Sequence, residues 1–419
     1  MRKLAWNEDV TATVAALRSL APPPGEVQAA VCAIVADVRA RGDAAVREQT
    51  ARLDRVELPE AYSVAPEEMD RCLAALAPEL RAALELAAAN IRAYHEHEAS
   101  RPWRATLTQG QVVGQEIVPL AAAGLYVPGG LADYPSSVLM TAIPAQVAGV
   151  ERIVVCSPPR PGGGAATGVA AACALLGITH LQPIGGAQAV AAMALGTGVV
   201  PRCDVIVGPG NAYVTEAKRQ LVGEVSIDSL AGPSEVLILA DSGGEPSWLA
   251  ADLLAQAEHG SGAMACLADI GGALADRVAD ECARLGEELG IATDSIVIVA
   301  CPDRAAALAL SNAFAPEHLE LHCSDAAALV PQVRNAGAVF VGPYAATAFA
   351  DYAAGTNHVL PTGGSARFGQ GLSVDAFRKR VAVVELDAIA AAGLAPAVAT
   401  IADEEGLRAH ARSARLRGR

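Results

Sequence analysis

His180-Leu181-Gln182-Pro183-Ile184-Gly185-Gly186-Ala187-Gln188 decides the fold. It reads as a short strand, a glycine turn and the opening of a helix over Ala189 to Leu195. The same order flanks it on both sides. Upstream, Arg152 to Cys156 is a short buried strand and Gly164 to Gly177 a helix of small residues. Downstream, Cys203 to Val207 is a strand capped by Gly208-Pro209-Gly210-Asn211, with a helix through Gln220. Residues 126–238 therefore predict a βαβ series, hence a parallel sheet with right-handed crossovers. Ligands of such sheets sit at the carboxyl ends of the strands.

Working outward, Val112 to Leu120 alternates like a strand, Ala123 to Gly130 reads as a turn, and Ser136 to Ala145 as a helix start. On the far side a second alternation begins with the strand Val236 to Ala240. One helix then spans Pro246 to Gly260, with Ser247 as its N-cap. The strand Ala265 to Ala268, a helix over 274–289, the strand Ser295 to Val299, a helix over 303–313 and a last buried strand, Gly337 to Gly342, complete the series. Residues 25–100 are helical in pattern: Val27 to Arg41 is stopped by Gly42, and Ala65 to Arg101 holds two helices broken near Pro78. His95 and His97 fall on a solvated face of that run. The expected architecture is α/β: two Rossmann-like lobes with parallel sheets, one inserted in the other, and helical arms at both ends. The large domain takes 23–125 and 239–373, and the inserted nucleotide-binding domain 126–238. The N-terminal arm is 1–22, closing on Pro22-Pro23-Pro24-Gly25, and the helical C-terminal arm is 374–419.

The 419 residues suffice for a large core, which the 52% apolar and 4% aromatic content builds from Ala, Val and Leu. A net charge of −15 argues against nucleic acid or an anionic membrane as partner, but not against an anionic cofactor held by local amides. No apolar run reaches membrane-spanning length, and Met1 to Asp9 lacks an apolar signal core, so a cytoplasmic location is expected. The nine cysteines form no Cys-x-x-Cys pair, which points to reduced, mostly buried thiols.

Polar residues that could carry chemistry are few. Gln256 and His259 share one helix face at a helix end, where an amide oxygen and an imidazole can hold a divalent cation; two ligands are too few, and taken alone such a pair is more often structural than metal-binding. Glu317-His318, in a proline-stiffened loop entering a strand, can pair a water-activating carboxylate with a proton-moving imidazole, or be a surface pair. Asp351 to Gly364 is a long polar, glycine-rich stretch in which Asp351 offers a hard oxygen ligand; His358 reads as a ligand or, preferably, a buried hydrogen-bonded residue. The glycine turns at 185–188 and 208–211 let amides approach a phosphate, yet no Gly-x-Gly-x-x-Gly is present.

Taken together, these stretches resemble the histidinol dehydrogenase family over nearly the whole chain. The resemblance is most specific in Gly355-Thr356-Asn357-His358-Val359-Leu360-Pro361-Thr362 and Ala231-Gly232-Pro233-Ser234-Glu235-Val236. It implies one Zn2+ per subunit held by Gln256, His259, Asp351 and His410, the last supplied by the other subunit of a homodimer. It implies Glu317 and His318 as the catalytic pair. Substrate contacts fall on Ser234, Gln256, His259, His318, Asp351, Glu405 and His410, and NAD contacts on Tyr126, Gln188 and Asn211. The implied reaction is oxidation of L-histidinol by NAD, through the aldehyde, to L-histidine. Ser229 stands where the family pattern leads one to expect a methionine, and the segment after His259 is short and glycine-rich. Competing readings are a related zinc- and NAD-dependent dehydrogenase of another alcohol, such as a sulfonated diol, and a zinc protein, hydrolytic or non-enzymatic, without nucleotide.

Overall fold

A computed structural model describes residues 1–20, 27–129, 132–260 and 262–418; Pro22 to Gly25 and Gly130, named above, lie outside them. The chain opens with β1 (Arg2–Ala5) and α1 (Val10–Arg18), then α2 (Gln28–Arg41), α3 (Asp43–Asp54), α4 (Pro66–Ala74) and α5 (Pro78–Glu98). There follow β2 (Trp103–Thr106), β3 (Val112–Pro119), β4 (Ala122–Tyr126), α6 (Pro135–Ala148), β5 (Arg152–Cys156), α7 (Thr167–Leu175) and β6 (His180–Gln182). Next are α8 (Gly186–Leu195), β7 (Val205–Val207), α9 (Ala212–Leu221), β8 (Ser226–Ile227), β9 (Glu235–Ala240) and α10 (Pro246–Ala257). Then come β10 (Met264–Ile270), α11 (Ala275–Leu289), β11 (Ile296–Cys301), α12 (Arg304–Phe314), β12 (His318–His322) and α13 (Ala326–Leu329). The last elements are β13 (Ala338–Val341), α14 (Thr347–Tyr352), β14 (Arg378–Glu385), α15 (Ala388–Glu404) and α16 (Arg408–Arg417).

Two parallel sheets carry the fold, as an α/β chain requires. One has five strands in the order β6-β5-β4-β7-β8; the other has six, β1-β11-β10-β9-β12-β13. In each, the chain steps outward from a central strand on one side and then returns to fill the other. The reversal falls between β4 and β7 in the first sheet and between β9 and β12 in the second. A separate antiparallel sheet, β14-β3-β2, ties residues 378–385 to 103–119. Apolar side chains from both faces of each parallel sheet form the cores: α1 and α12 cover one face of the six-stranded sheet, and α10 and α11 the other.

Several expectations are corrected. Ala123 to Tyr126, read as a turn, belongs to β4, buried at the centre of its sheet; Gly124 is there because a side chain would run into Met193 and Cys203. Arg378 to Glu385 is a strand, not helix, because its Val-rich run pairs along the whole of β3. Arg2 to Ala5 is no free arm but the edge strand beside β11. Helices α2 to α5, expected on the larger lobe, pack instead on α8, α9, α7 and α6 of the five-stranded sheet. β13 is an edge strand with Val341 exposed, not a buried one. Ser247 does not cap α10: Glu245 is the cap residue and Pro246 the first helical one. His95 is fully buried, its Nδ1 bonded to Glu98 at 2.6 Å and its Nε2 beside the amide of Asn357 at 3.2 Å. The cysteines are free, and all but Cys32 and Cys72 are buried. Among the described residues no helix is long and apolar enough to cross a membrane.

Candidate active site

The amino ends of β9 and β12, neighbours at the reversal of the six-stranded sheet, bring acid, base and hydroxyl together. Helix α12 ends at Ala315, which takes a left-handed backbone (φ 52°) and donates its N–H to the Ser311 carbonyl at 2.8 Å. A residue with a Cβ is held there at a cost of about 1 kcal/mol, and the turn delivers Glu317 and His318 into the sheet edge. One carboxylate oxygen of Glu317, Oε2, accepts the Ser234 hydroxyl at 2.6 Å and the Glu235 N–H at 2.9 Å. Burial pushes the Glu317 carboxyl above the usual range, opposed by His318 and by the bond from Ser234. His318, also buried, donates Nδ1–H to the Glu235 carbonyl at 3.1 Å. A carbonyl only accepts, so that bond fixes the tautomer and leaves the lone pair on Nε2. Among the described residues Nε2 has no hydrogen-bond partner, and it lies 3.8 Å from Asp351 Oδ1.

Helix α10 contributes from its carboxyl end. Gln256 is buried in the last turn, and its amide nitrogen finds no partner among the described residues. His259 lies just beyond the helix; its Nδ1–H donates to the Ala255 carbonyl at 3.0 Å, which again leaves Nε2 free to accept. Asp351 sits on α14 and its carbonyl accepts His358 Nδ1–H at 3.0 Å. His358 is thus hydrogen-bonded, as preferred from sequence; burial pushes its pKa down, and Asp351, His318 and His259 are all close enough to act on it. An amide oxygen, imidazoles with free nitrogens and a carboxylate make a donor set suited to zinc. Glu405 and His410 stand apart: Glu405 caps α15, His410 lies on the exposed face of α16, and among the described residues no hydrogen bond or ion pair ties either to this cluster.

The carboxyl edge of the five-stranded sheet gathers a different set. The hydroxyl of buried Tyr126, at the end of β4, accepts the Gly186 N–H at the start of α8, at 3.0 Å. Burial raises the Tyr126 phenol to about 12, so it stays neutral. Gln188, in the first turn of α8, donates Nε2 to Asp54 Oδ2 at 3.4 Å and leaves Oε1 buried without a partner among the described residues. Asn211 Oδ1 caps α9, accepting from the N–H groups of Tyr213 and Val214. Gly208, at φ 111°, turns so tightly after β7 that a side chain would meet the Tyr126 carbonyl. Sequence reading missed what locks this turn. Buried Lys218 donates to the Gly208 carbonyl at 2.6 Å and to Asp228 Oδ1 at 2.7 Å, while Asp228 Oδ2 takes the Gly208 N–H at 2.7 Å. A lysine beside an arginine in a helix reads as surface charge, so no local signal marks it. Arg18, missed likewise, forks onto Glu235 beside Glu317 and His318 and reaches the Phe314 carbonyl at 2.7 Å.

Residues 22–418 match the model of the histidinol dehydrogenase family. A histidinol dehydrogenase of Pseudomonas aeruginosa is 47% identical over 393 residues, covering 92% of this chain and 89% of the relative. One of Cereibacter sphaeroides is 47% identical over 424 residues, covering 99% and 97%. The crystal structure of histidinol dehydrogenase from Elizabethkingia anophelis superposes with a TM-score of 0.94 at 32% identity, covering 100% of this chain and 98% of that one.

Proposed function

The chain belongs to the histidinol dehydrogenase family, NAD-dependent oxidoreductases of histidine biosynthesis, and on that premise we propose that it oxidises L-histidinol twice, to L-histidinal and then to L-histidine, with His318 and Glu317 as its proton-transfer groups. The observation that carries this reading is the lone pair of His318 Nε2, buried, without a partner among the described residues and facing the carboxylate of Asp351. His318 takes the alcohol proton at Nε2 while the Glu235 carbonyl holds its ring. Glu317, with its carboxyl raised by burial, takes a proton from the water that adds to the aldehyde; the Ser234 hydroxyl and the Glu235 N–H keep it aimed. NAD supplies the hydride acceptor in both steps.

Gln256, His259 and Asp351 are proposed to hold zinc, which when bound supplies a fixed anchor for the amino and imidazole nitrogens of the substrate. The free His259 nitrogen and the carboxylate of Asp351, both close to His358, support that assignment, with Gln256 offering its amide oxygen. Tyr126, Gln188 and Asn211 are proposed to contact NAD, and residues 126–238 to form the nucleotide-binding domain.

His410 and Glu405 are proposed to serve the neighbouring subunit of a homodimer. Support comes from the arm that carries them: α16 packs on α15, and Ile389, Ile401 and Leu416 are left exposed, which a second copy would cover. NADH formation from L-histidinol, abolished by a chelator and restored by zinc, tests the activity; no NADH with zinc and NAD supplied would refute it. Subunit exchange tests the arm. Mixing His318→Ala chains with His410→Ala chains restores activity only when His410 crosses between subunits, because only then does a hybrid contain one complete site.

A further inference from the structure

β12 reads His318-Leu319-Glu320-Leu321-His322, and it is buried throughout. Alternation sends Leu319 and Leu321 into the apolar cluster with α12 and turns His318, Glu320 and His322 to the opposite face. Only His318 has a part in the reaction proposed above. Glu320 is wholly buried, and both of its oxygens are committed. Oε1 accepts the N–H and the hydroxyl of Thr347, each at 2.8 Å, and Thr347 is the first residue of α14. Oε2 lies 3.2 Å from His322 Nε2, and Asp252 Oδ2 lies 3.9 Å from the same nitrogen. Asp252, Glu320 and His322 form a tight cluster, their ligand-type atoms within 4.8 Å of one another.

The geometry points to Glu320 as a positioning residue for the candidate zinc and catalytic groups, acting through β12, α10 and α14. Each element that Glu320 joins carries one proposed site residue close by. His318 is two residues back along the same face of β12. Asp351 is one turn beyond Thr347 in α14, and Gln256 is one turn beyond Asp252 in α10. A fully buried carboxylate that bonds a helix start and faces a second element holds all three elements in register more rigidly than apolar packing does, because its bonds are directional. Asp252 stays protonated toward neutral pH: burial and then Glu320 push its carboxyl up to about 7, so the cluster does not bury two unbalanced charges. This inference rests on the functional reading above and extends it.

The test compares wild type with Glu320→Ala, Glu320→Gln and, should the alanine variant fail to fold, Thr347→Val, which keeps the backbone bond and removes the hydroxyl. Zinc affinity, kcat and KM for L-histidinol, NAD affinity and the unfolding midpoint are read for each. A positioning role predicts that Glu320→Ala loses zinc affinity and kcat by about 10- to 100-fold. NAD affinity stays unchanged, and Glu320→Gln, which keeps an acceptor for Thr347, recovers part of the loss. A lowered unfolding midpoint with zinc affinity and kcat as in wild type overturns the proposal. A second zinc bound in wild type and lost on Asp252→Asn or His322→Ala also overturns it, because the cluster is then a metal site. Wild type that neither binds zinc nor oxidises L-histidinol removes the functional reading itself, which distinguishes the two failures.

Discussion

The two parallel sheets share one order of five strands, reversal included, with β1 added at the edge of the larger, yet they present opposite edges to the chemistry. In the five-stranded sheet the candidate nucleotide residues lie at the carboxyl edge, where α8 and α9 begin. In the six-stranded sheet the candidate catalytic and zinc residues lie at the amino edge, where α10 and α12 end. Helix starts present free N–H groups and favour anions, whereas helix ends present carbonyls and favour cations. The candidate nucleotide edge is built from glycine turns and caps, as a pyrophosphate would need. The other is built from acids, an amide and imidazoles, as a cation and proton transfer need. Strand order fixes where the chain opens a crevice; helix direction fixes what charge that crevice welcomes.

The comparison breaks if damage at one edge disables the other. The largest effect is expected from His318→Gln: kcat should fall by about 100- to 10,000-fold, while NAD affinity by calorimetry stays as in wild type. A parallel loss of NAD affinity would mean that the edges are not separable. Next comes Lys218→Met, which strands buried Asp228 beside the Gly208 turn. Denaturant unfolding should show a loss of about 3–5 kcal/mol, with zinc content unchanged. Gly208→Ala acts at the same turn through two terms, the backbone angle, worth about 1–3 kcal/mol, and a clash of the new Cβ with the Tyr126 carbonyl, and it should also raise KM for NAD.

The smallest effect sharpens the picture from the other side. Asp252 has its carboxyl raised from 3.8 to about 7 in the folded chain, first by burial and then by Glu320. A raised folded value means that its contribution to stability is full below pH 3.8 and fades as pH climbs through 7. Thermal melts should therefore show Asp252→Asn gaining on wild type over that window. A difference that does not change with pH would mean that Asp252 is not the titrating group.

Much of this was legible in the sequence because helix and strand periods are local. The repeated strand, glycine turn and helix announced both parallel sheets, and Glu317-His318 stood out as a polar pair entering an apolar strand. What was not legible depends on distant partners. β4 looked like a turn because Gly124, Pro128 and Gly129 are turn residues, and it takes Met193 and Cys203 packing against it to explain Gly124. β14 needed β3, more than 250 residues away, to become a strand. His95 looked solvated until Asn357 arrived to meet it. The Asp252-Glu320-His322 cluster escaped notice because no spacing rule links a helix to a strand so far downstream.

Ala315 has one further consequence. Glycine would adopt its left-handed backbone freely, so Ala315→Gly is a replacement that selection for heat tolerance would favour. It would also slacken the hinge from which Pro316, Glu317 and His318 hang. A thermostability screen and a turnover screen should rank this one change in opposite directions, and in that sense the alanine is a small surrender of robustness for aim.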